Sequence, residues 1–529
     1  MEDTPPISTA RPPSEGGVYF SREAVGGLPW MVLNKGLMLF VYMGLSVLTV
    51  RWLGPEEYGR LSLIRNITDY LVVICALGFD VALLRFIPEL TAHHNRAGLS
   101  RLLVRSLALQ QVAAVLALLA LIGMKPWLDR WFHMDFRGLL VPAGILLAAT
   151  VLKDSLNNAF TALFRARTVA LLSLVNGVLW LACLAGALRW RPEAALALAS
   201  QSVALLLVYG VSLVLLTRLV RGLPWRSPPR GIGRQRTLKL SLPTMLNTVL
   251  RMLMMKYTEV FFLGVYFTPA VVGYYDLGYT TPLLVLTLIP AALQTLFTSA
   301  FAQAYTRDPD CLGRLIDSVY KLTILIVTPL AAFGVFFASR GLVLLYGQAM
   351  APAGPVAAAF CVLHVLPLIS APLSMAITVK EKVLQMLPYM LLQVGVNLLL
   401  DWLLIPRFGM AGAVAAVAGT FVLTIPWRLK AVRGILGGIH FPTGFFLRQV
   451  AVTVVLAAAL SPLAPHLNLV MLVLLGGAYL ALYPVLIRLL RLVRPEDVTE
   501  LRALGLARVN RVLDLVIGPV RAPATGAGR

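Results

Sequence analysis

The chain has 529 residues, 59% of them hydrophobic and only 13% charged, with a mean hydropathy of +0.81. No soluble domain hides that much apolar surface, so soluble classes are excluded and a polytopic membrane protein is expected. The formal net charge of +22 would suit nucleic acid, but Lys and Arg sit mostly in short loops between apolar spans, as the positive-inside rule requires, and no nucleic-acid partner is expected.

Residues 1–27 are polar, rich in Pro, Ser and Gly, and lack an apolar run. They read as a disordered cytoplasmic tail rather than a signal peptide. Fourteen spans follow, at 28–50, 60–84, 104–123, 139–161, 168–188, 194–217, 240–263, 273–303, 319–339, 356–378, 383–405, 410–430, 446–463 and 468–490. Most are near the ~20 residues that cross ~30 Å of hydrocarbon, and the longer eighth span is expected to tilt or extend into the cytosol. Trp30, Trp52, Trp190, Trp402 and Trp427 fall near span ends, where an aromatic belt forms.

The densest basic cluster, Arg218, Arg221, Arg226, Arg230, Arg234, Arg236 and Lys239, places the 218–239 link and both termini in the cytoplasm. The link also carries Pro228, Pro229, Gly231 and Gly233 and divides an N-lobe at 28–217 from a C-lobe at 240–430. Two further spans occupy 431–490, and 491–529 forms a tail whose 495–517 segment reads as a basic amphipathic helix, on the inner membrane surface or under the bundle. Six spans before the link imply a parallel repeat about an axis along the membrane normal. Its trace is Asn34 against Asn247, and Pro55-x-x-x-Gly59 against Pro269-x-x-x-Gly273. The expected fold class is an all-α polytopic membrane protein of about fourteen transmembrane helices.

Charges within the spans point to function, because each costs at least ~2.5–3.5 kcal/mol at mid-depth unless it faces protein or a wet cavity. Lys35 lies in span one, Arg251, Lys256 and Glu259 in span seven. Lys256 and Glu259, three residues apart, are expected to pair, leaving Arg251 for another helix or an anionic substrate. Arg65 and Asp69 share one face of span two, as an ion pair or as a cavity lining, while Asp80 and Arg85 lie where that span reaches the cytoplasm and can snorkel or gate. Lys153-Asp154 and Asn157-Asn158 in span four read as interfacial. Asp276 and Asp401 are expected near outer ends, Asp401 within reach of Arg407, and His364 is expected as a packed, satisfied histidine. Pro282, Pro290, Pro329, Pro367, Pro372, Pro388 and Pro426 interrupt apolar helices and predict kinks.

Cys75, Cys183, Cys311 and Cys361 have no metal-ligand spacing and read as small packing residues, so no metal site is expected. There is no P-loop, HExxH or GxSxG, and no external loop large enough for an active site. A transporter without a built-in ATPase, rather than an enzyme, is the expected class.

Four stretches carry a family resemblance: RWLGPEEYGRLS at 51–62, GFDVALLRFIPE at 78–89, VGYYDLGYT at 272–280 and IPRFGMAG at 405–412. Together, in this order, they resemble the polysaccharide flippases of the multidrug/oligosaccharidyl-lipid/polysaccharide exporter superfamily. The resemblance implies two six-helix lobes in a V, two extra C-terminal helices, and a lumen opening alternately to each side. It also implies a bacterial cytoplasmic (inner) membrane and an undecaprenyl-diphosphate-linked oligosaccharide moved to the outer leaflet for surface or exopolysaccharide export. The family's cationic lumen would be supplied here by Lys35, Arg65, Arg251 and Lys256, with Asp69 and Glu259 as acids for H+ or Na+ coupling and Asp80 and Arg85 as cytoplasmic gate candidates. No cofactor is expected. Expected partners are the lipid-linked oligosaccharide, membrane lipids, along a groove at spans thirteen and fourteen, and polysaccharide polymerase or assembly proteins. The alternatives are a lipid II flippase or cation-coupled multidrug exporter of the same superfamily, a membrane-embedded polymerase or ligase, or a non-transporting scaffold.

Overall fold

An apolar helical stretch of 57 residues, Gly36–Ala92, would extend ~85 Å at 1.5 Å per residue, far beyond ~30 Å of hydrocarbon, so it has to turn back. The turn is at Gly54, whose φ of +71° breaks the first helix, α1 (Arg22–Ala76); only glycine adopts that conformation without strain. The computed structural model describes residues 22–92, 95–222, 234–253, 256–307, 312–380, 382–438 and 441–490, with side chains from Gly36 onward except at 222, 234, 289, 291–296, 298–300, 302–304, 306–307, 314 and 384. The side chain of Lys35, residues 223–233 of the link and the tail from 491 lie outside the described residues.

α1 thus supplies the first crossing and much of the second, which α2 (Phe79–Ala92) completes after a bend at Leu77 and Gly78. α3 (Arg96–Gly123), α5 (Leu140–Ala162), α6 (Ala166–Trp190) and α7 (Ala194–Gly222) are crossings three to six, with the short α4 (Lys125–Phe132) between α3 and α5. Crossing seven comprises α8 (Arg234–Leu253) and α9 (Tyr257–Tyr266), followed by the long α10 (Pro269–Arg307) and α11 (Leu312–Tyr346). Crossing ten falls into three pieces, α12 (Ala353–Leu363), α13 (Val365–Ile369) and α14 (Ala371–Val379), with Pro367 in α13 and Pro372 opening α14. The 50-residue α15 (Leu387–Leu436) repeats the device of α1, folding back at Gly409 with φ +57°, and makes crossings eleven and twelve. α16 (Thr443–Leu460) and α17 (Leu469–Leu489) complete fourteen crossings, and every described element is helical. The chain is a multi-pass membrane protein.

Side-chain caps are used where a helix begins in a loop: Asn95 Oδ1 accepts from Gly98 N–H (2.8 Å) at α3, and Asn468 Oδ1 from Met471 N–H (2.8 Å) at α17. Large apolar side chains such as Val104, Leu116 and Leu119 on α3 and Val470, Val473 and Leu474 on α17 point outward, as lipid-facing surfaces do.

α1 packs on α5, α6 and α7 in the first half, and α10 on α11, α12 and α14 in the second, while α16 and α17 lie against α11. The halves meet through the repeated turns. A Cβ on Gly59 would stand 1.6 Å from the carbonyl oxygen of Pro269, and one on Gly273 would stand 2.8 Å from that of Pro55. The residues between them tie this junction to several helices. Arg51 donates to the carbonyls of Leu344 and Leu345 (both 2.7 Å) at the end of α11, where a cation satisfies orphan acceptors. Glu57 accepts from the Ala194 N–H (2.9 Å) that opens α7, and the Tyr58 hydroxyl donates to Asp276 (2.7 Å) on α10.

At the same end of the molecule, Lys125 bridges Asp129 (2.5 Å) and Asp135 (3.1 Å). The Arg137 backbone N–H and that lysine hold the Asp135 carboxyl below its usual range. At the opposite end, backbone again meets backbone: a Cβ on Gly78 would lie 2.0 Å from the Ser241 carbonyl oxygen. Arg236 of α8 also forms a two-pronged bridge to Glu89 of α2 (2.7 and 3.0 Å).

Candidate functional site

Each half encloses a cavity beside the seam. The first, of about 470 Å³, lies among α1, α5, α6 and α7. Arg65 enters it from α1, donates to Gln201 Oε1 (2.5 Å) and stands over the Trp180 ring at 5.4 Å. Lys153 and Asp154 border it as an ion pair (3.1 Å), and the Asn157 amide donates to the Tyr209 hydroxyl (3.1 Å). Three polar atoms on its lining side chains are covered and have no hydrogen-bond partner among the described residues: Asn157 Oδ1, Asn176 Oδ1 and Trp180 Nε1. An unmade bond on a covered polar atom costs ~1–3 kcal/mol, so three around one cavity is a local concentration of strain that a ligand or water relieves.

The second cavity, of about 440 Å³, lies among α8, α9, α10, α12, α14 and α15. Arg251 and Arg428 line it amid an apolar wall that includes Leu283, Phe360, Val417 and Phe421. Among the described residues no ion pair neutralises either arginine; Arg428 stands over the Tyr389 ring at 6.0 Å. Glu259 borders the cavity at its inner side. Its carboxylate accepts from Asn397 Nδ2 (3.3 Å) and Thr258 Oγ1 (3.2 Å), and the same Asn397 amide donates to Asp401 (2.8 Å). Glu259 is 1% exposed and Asp401 fully buried, with Asp401 Oδ1 unpartnered. Two submerged carboxylates sharing one amide require a proton or a cation between them, since paired bare charges are not tolerated there. The oxygens of Glu259, Asp401 and Asn397 are hard donors of the kind that hold H+ or a small cation.

Several sequence expectations change here. Lys256 pairs not with Glu259 but with Asp276, which also accepts from Tyr58. Asp276 and Asp401 are buried within the helix bundle. Arg65 reaches Gln201 instead of pairing with Asp69, whose carboxylate accepts from the Tyr257 hydroxyl (3.4 Å). Lys153, Asp154 and Asn157 line a cavity rather than an interface.

Arg65 and Arg251 therefore border separate cavities, Lys256 sits in the seam, and Lys35 lies outside the described side chains. Asp80 accepts from Asn158 (3.3 Å), whereas Arg85 pairs with Glu89 (3.6 Å), the residue that Arg236 grips from the other half. His364 is buried, its Nε2 3.1 Å from the Tyr279 carbonyl. Sequence reasoning missed Arg428 and the Asn397-x-x-x-Asp401 spacing, which sets an amide and an acid on one face of an apolar helix.

Comparison with known proteins places this geometry. The family model described as "Polysaccharide biosynthesis protein" matches residues 48–355. A search of curated protein sequences gave no match. Among solved structures, the lipid II flippase MurJ in an inward closed conformation is similar with a TM-score of 0.67 at 12% identity, over 88% of this chain and 99% of that one. An inward-facing multidrug resistance MATE family transporter of the MOP superfamily aligns with a TM-score of 0.58 at 16% identity, over 77% and 98%. A MOP superfamily transporter from Pyrococcus furiosus, described as having a binding pocket of reverse polarity, aligns at 0.53 and 16%, over 78% and 96%. At these identities the likeness is one of fold.

Proposed function

The chain belongs to the polysaccharide biosynthesis protein family, and from that premise we propose that it is a flippase. In this reading it carries an undecaprenyl-diphosphate-linked oligosaccharide from the cytoplasmic to the outer leaflet of a bacterial inner membrane, for surface polysaccharide export. The two halves are lobes that rock about the Gly59–Pro269 junction, and the Gly78–Ser241 end, with its basic link, faces the cytoplasm.

The observation that carries the reading is a pair of arginine-bearing cavities of about 470 and 440 Å³ flanking a common seam. A diphosphate and a string of hydroxyls lose several kcal/mol per unmade hydrogen bond in hydrocarbon, and guanidinium groups offer charge-assisted partners to phosphate oxygens. Arg251 is the cation proposed for this role, with Lys35 on the first crossing; Arg65 is engaged by Gln201, and Lys256 serves the junction through Asp276. The Glu259–Asn397–Asp401 cluster is the proposed proton or Na+ site, with Asp69 beside the seam as a further acid. Cavities that bear arginines speak against an exporter of organic cations.

The test is leaflet distribution in a deletion strain. Lipid-linked oligosaccharide should accumulate in the cytoplasmic leaflet and be cleared by the wild-type gene but not by Arg251→Ala or Lys35→Ala. An unchanged distribution overturns the proposal, and accumulation of lipid II in its place moves the assignment to a lipid II flippase, the activity named for the similar MurJ structure.

A further inference from the structure

The two cavities differ in chemistry, and the difference assigns them different parts of one substrate. In the first, the cations are already engaged: Arg65 by Gln201 and the Trp180 face, Lys153 by Asp154. What it leaves unpaired is a mixed set, two amide oxygens on Asn157 and Asn176 and one indole N–H on Trp180. A phosphate at neutral pH is an acceptor only and is best met by free cations, which this cavity does not offer. A hydroxyl or acetamido group donates and accepts, as the asparagine amides do. Rotation about the soft terminal torsion of each asparagine presents either its oxygen or its amide nitrogen to the cavity that its side chain borders. At about 470 Å³, the volume falls within the ~300–1,000 Å³ of ligand sites. The second cavity is the converse, with two arginines free of ion pairs among the described residues and a mainly apolar wall.

We propose that the first-half cavity is a glycan subsite, binding the uncharged, hydroxyl-rich sugars of the substrate through Asn157, Asn176 and Trp180. The diphosphate and its first isoprene units are held separately, by Arg251 and Arg428 in the second-half cavity. This deepens the flippase reading and rests on it for the identity of the whole substrate. The division, with engaged cations in one cavity and, among the described residues, arginines free of ion pairs in the other, keeps the substrate in one orientation across the seam.

The experiment uses the purified full chain in lipid nanodiscs and two probes that report the subsites independently. One is a panel of neutral hexose and N-acetylhexosamine di- and trisaccharides, the other geranyl diphosphate. Binding is read by titration calorimetry and by fluorescence quenching that is lost in Trp180→Phe. At least one saccharide should bind the wild type. Asn157→Leu and Asn176→Leu should each weaken it about tenfold or more, the loss of a hydrogen bond left unmade, while geranyl diphosphate binds as before and certifies the fold. Arg251→Gln and Arg428→Gln should reverse the pattern. The proposal is overturned if no saccharide binds the wild type, or if the asparagine variants weaken both probes alike. Saccharide binding that persists while no lipid-linked oligosaccharide changes leaflet would retain the subsite and remove only the flippase reading.

Discussion

Gly59 and Pro269 meet backbone to backbone, so closely that a single methyl group on Gly59 would stand 1.6 Å from the Pro269 carbonyl oxygen. Gly273 returns the contact to Pro55 at 2.8 Å. The two copies of one turn thus bring the halves into backbone contact, and no side chain can lie between them.

Gly59→Ala should therefore force the halves apart. Overpacking of a closed contact costs ~1–3 kcal/mol, and here the obstacle is backbone that cannot rotate away. We expect a lower unfolding midpoint in detergent, while Gly36→Ala, which meets nothing within 4 Å, leaves it unchanged.

Lys256 and Asp276 form a pair that is 21% and 8% exposed. Removing only the lysine leaves the carboxylate buried and uncompensated, at ~3–5 kcal/mol. Lys256→Met should destabilise strongly by thermal unfolding, and Lys256→Met with Asp276→Leu should recover most of the loss. A double variant no better than the single one would contradict the pairing.

Arg236 and Glu89 join the halves at the other end (2.7 and 3.0 Å). An exposed pair contributes only ~0–1 kcal/mol to stability, but both partners lie on opposite sides of the seam. Arg236→Glu should thus leave the midpoint nearly unchanged and increase several-fold the labelling of Ser241→Cys, which the closed seam covers. Reversing Glu89 as well should restore protection.

Glu259 and Asp401 hold one amide between them deep in the second half. Glu259→Gln and Asp401→Asn keep the shape and remove the charge. Each should abolish any stimulation of transport by a proton or Na+ gradient, with the chain still inserted and folded. Stimulation that survives both would place coupling elsewhere, Asp69 first.

Orientation is open to a direct measurement. A cysteine at Arg230 in the link should resist an impermeant thiol reagent added outside the cell, while one at Asp135, beside α4 at the opposite end, should react. The reverse result would invert the protein in the membrane.

The sequence by itself determined the membrane class, the fourteen crossings and the repeated Pro/Gly turns, because hydrocarbon thickness and backbone hydrogen bonding leave few ways to place long apolar runs. It also singled out RWLGPEEYGRLS at 51–62, whose roles the structure then supplies: Arg51 closes α11, Glu57 opens α7, Tyr58 reaches Asp276 and Gly59 touches Pro269. Partner choice was legible only where partners share a helix, and even there it misled. Lys256 faces Asp276 on the next helix rather than Glu259, Arg65 takes Gln201 from α7, and Asp401 is buried against Asn397. A side chain at mid-depth must be compensated, and that much can be read from a hydropathy profile. Which group compensates it depends on how helices distant in the chain are rotated against each other, and that angle is a property of the packed bundle alone.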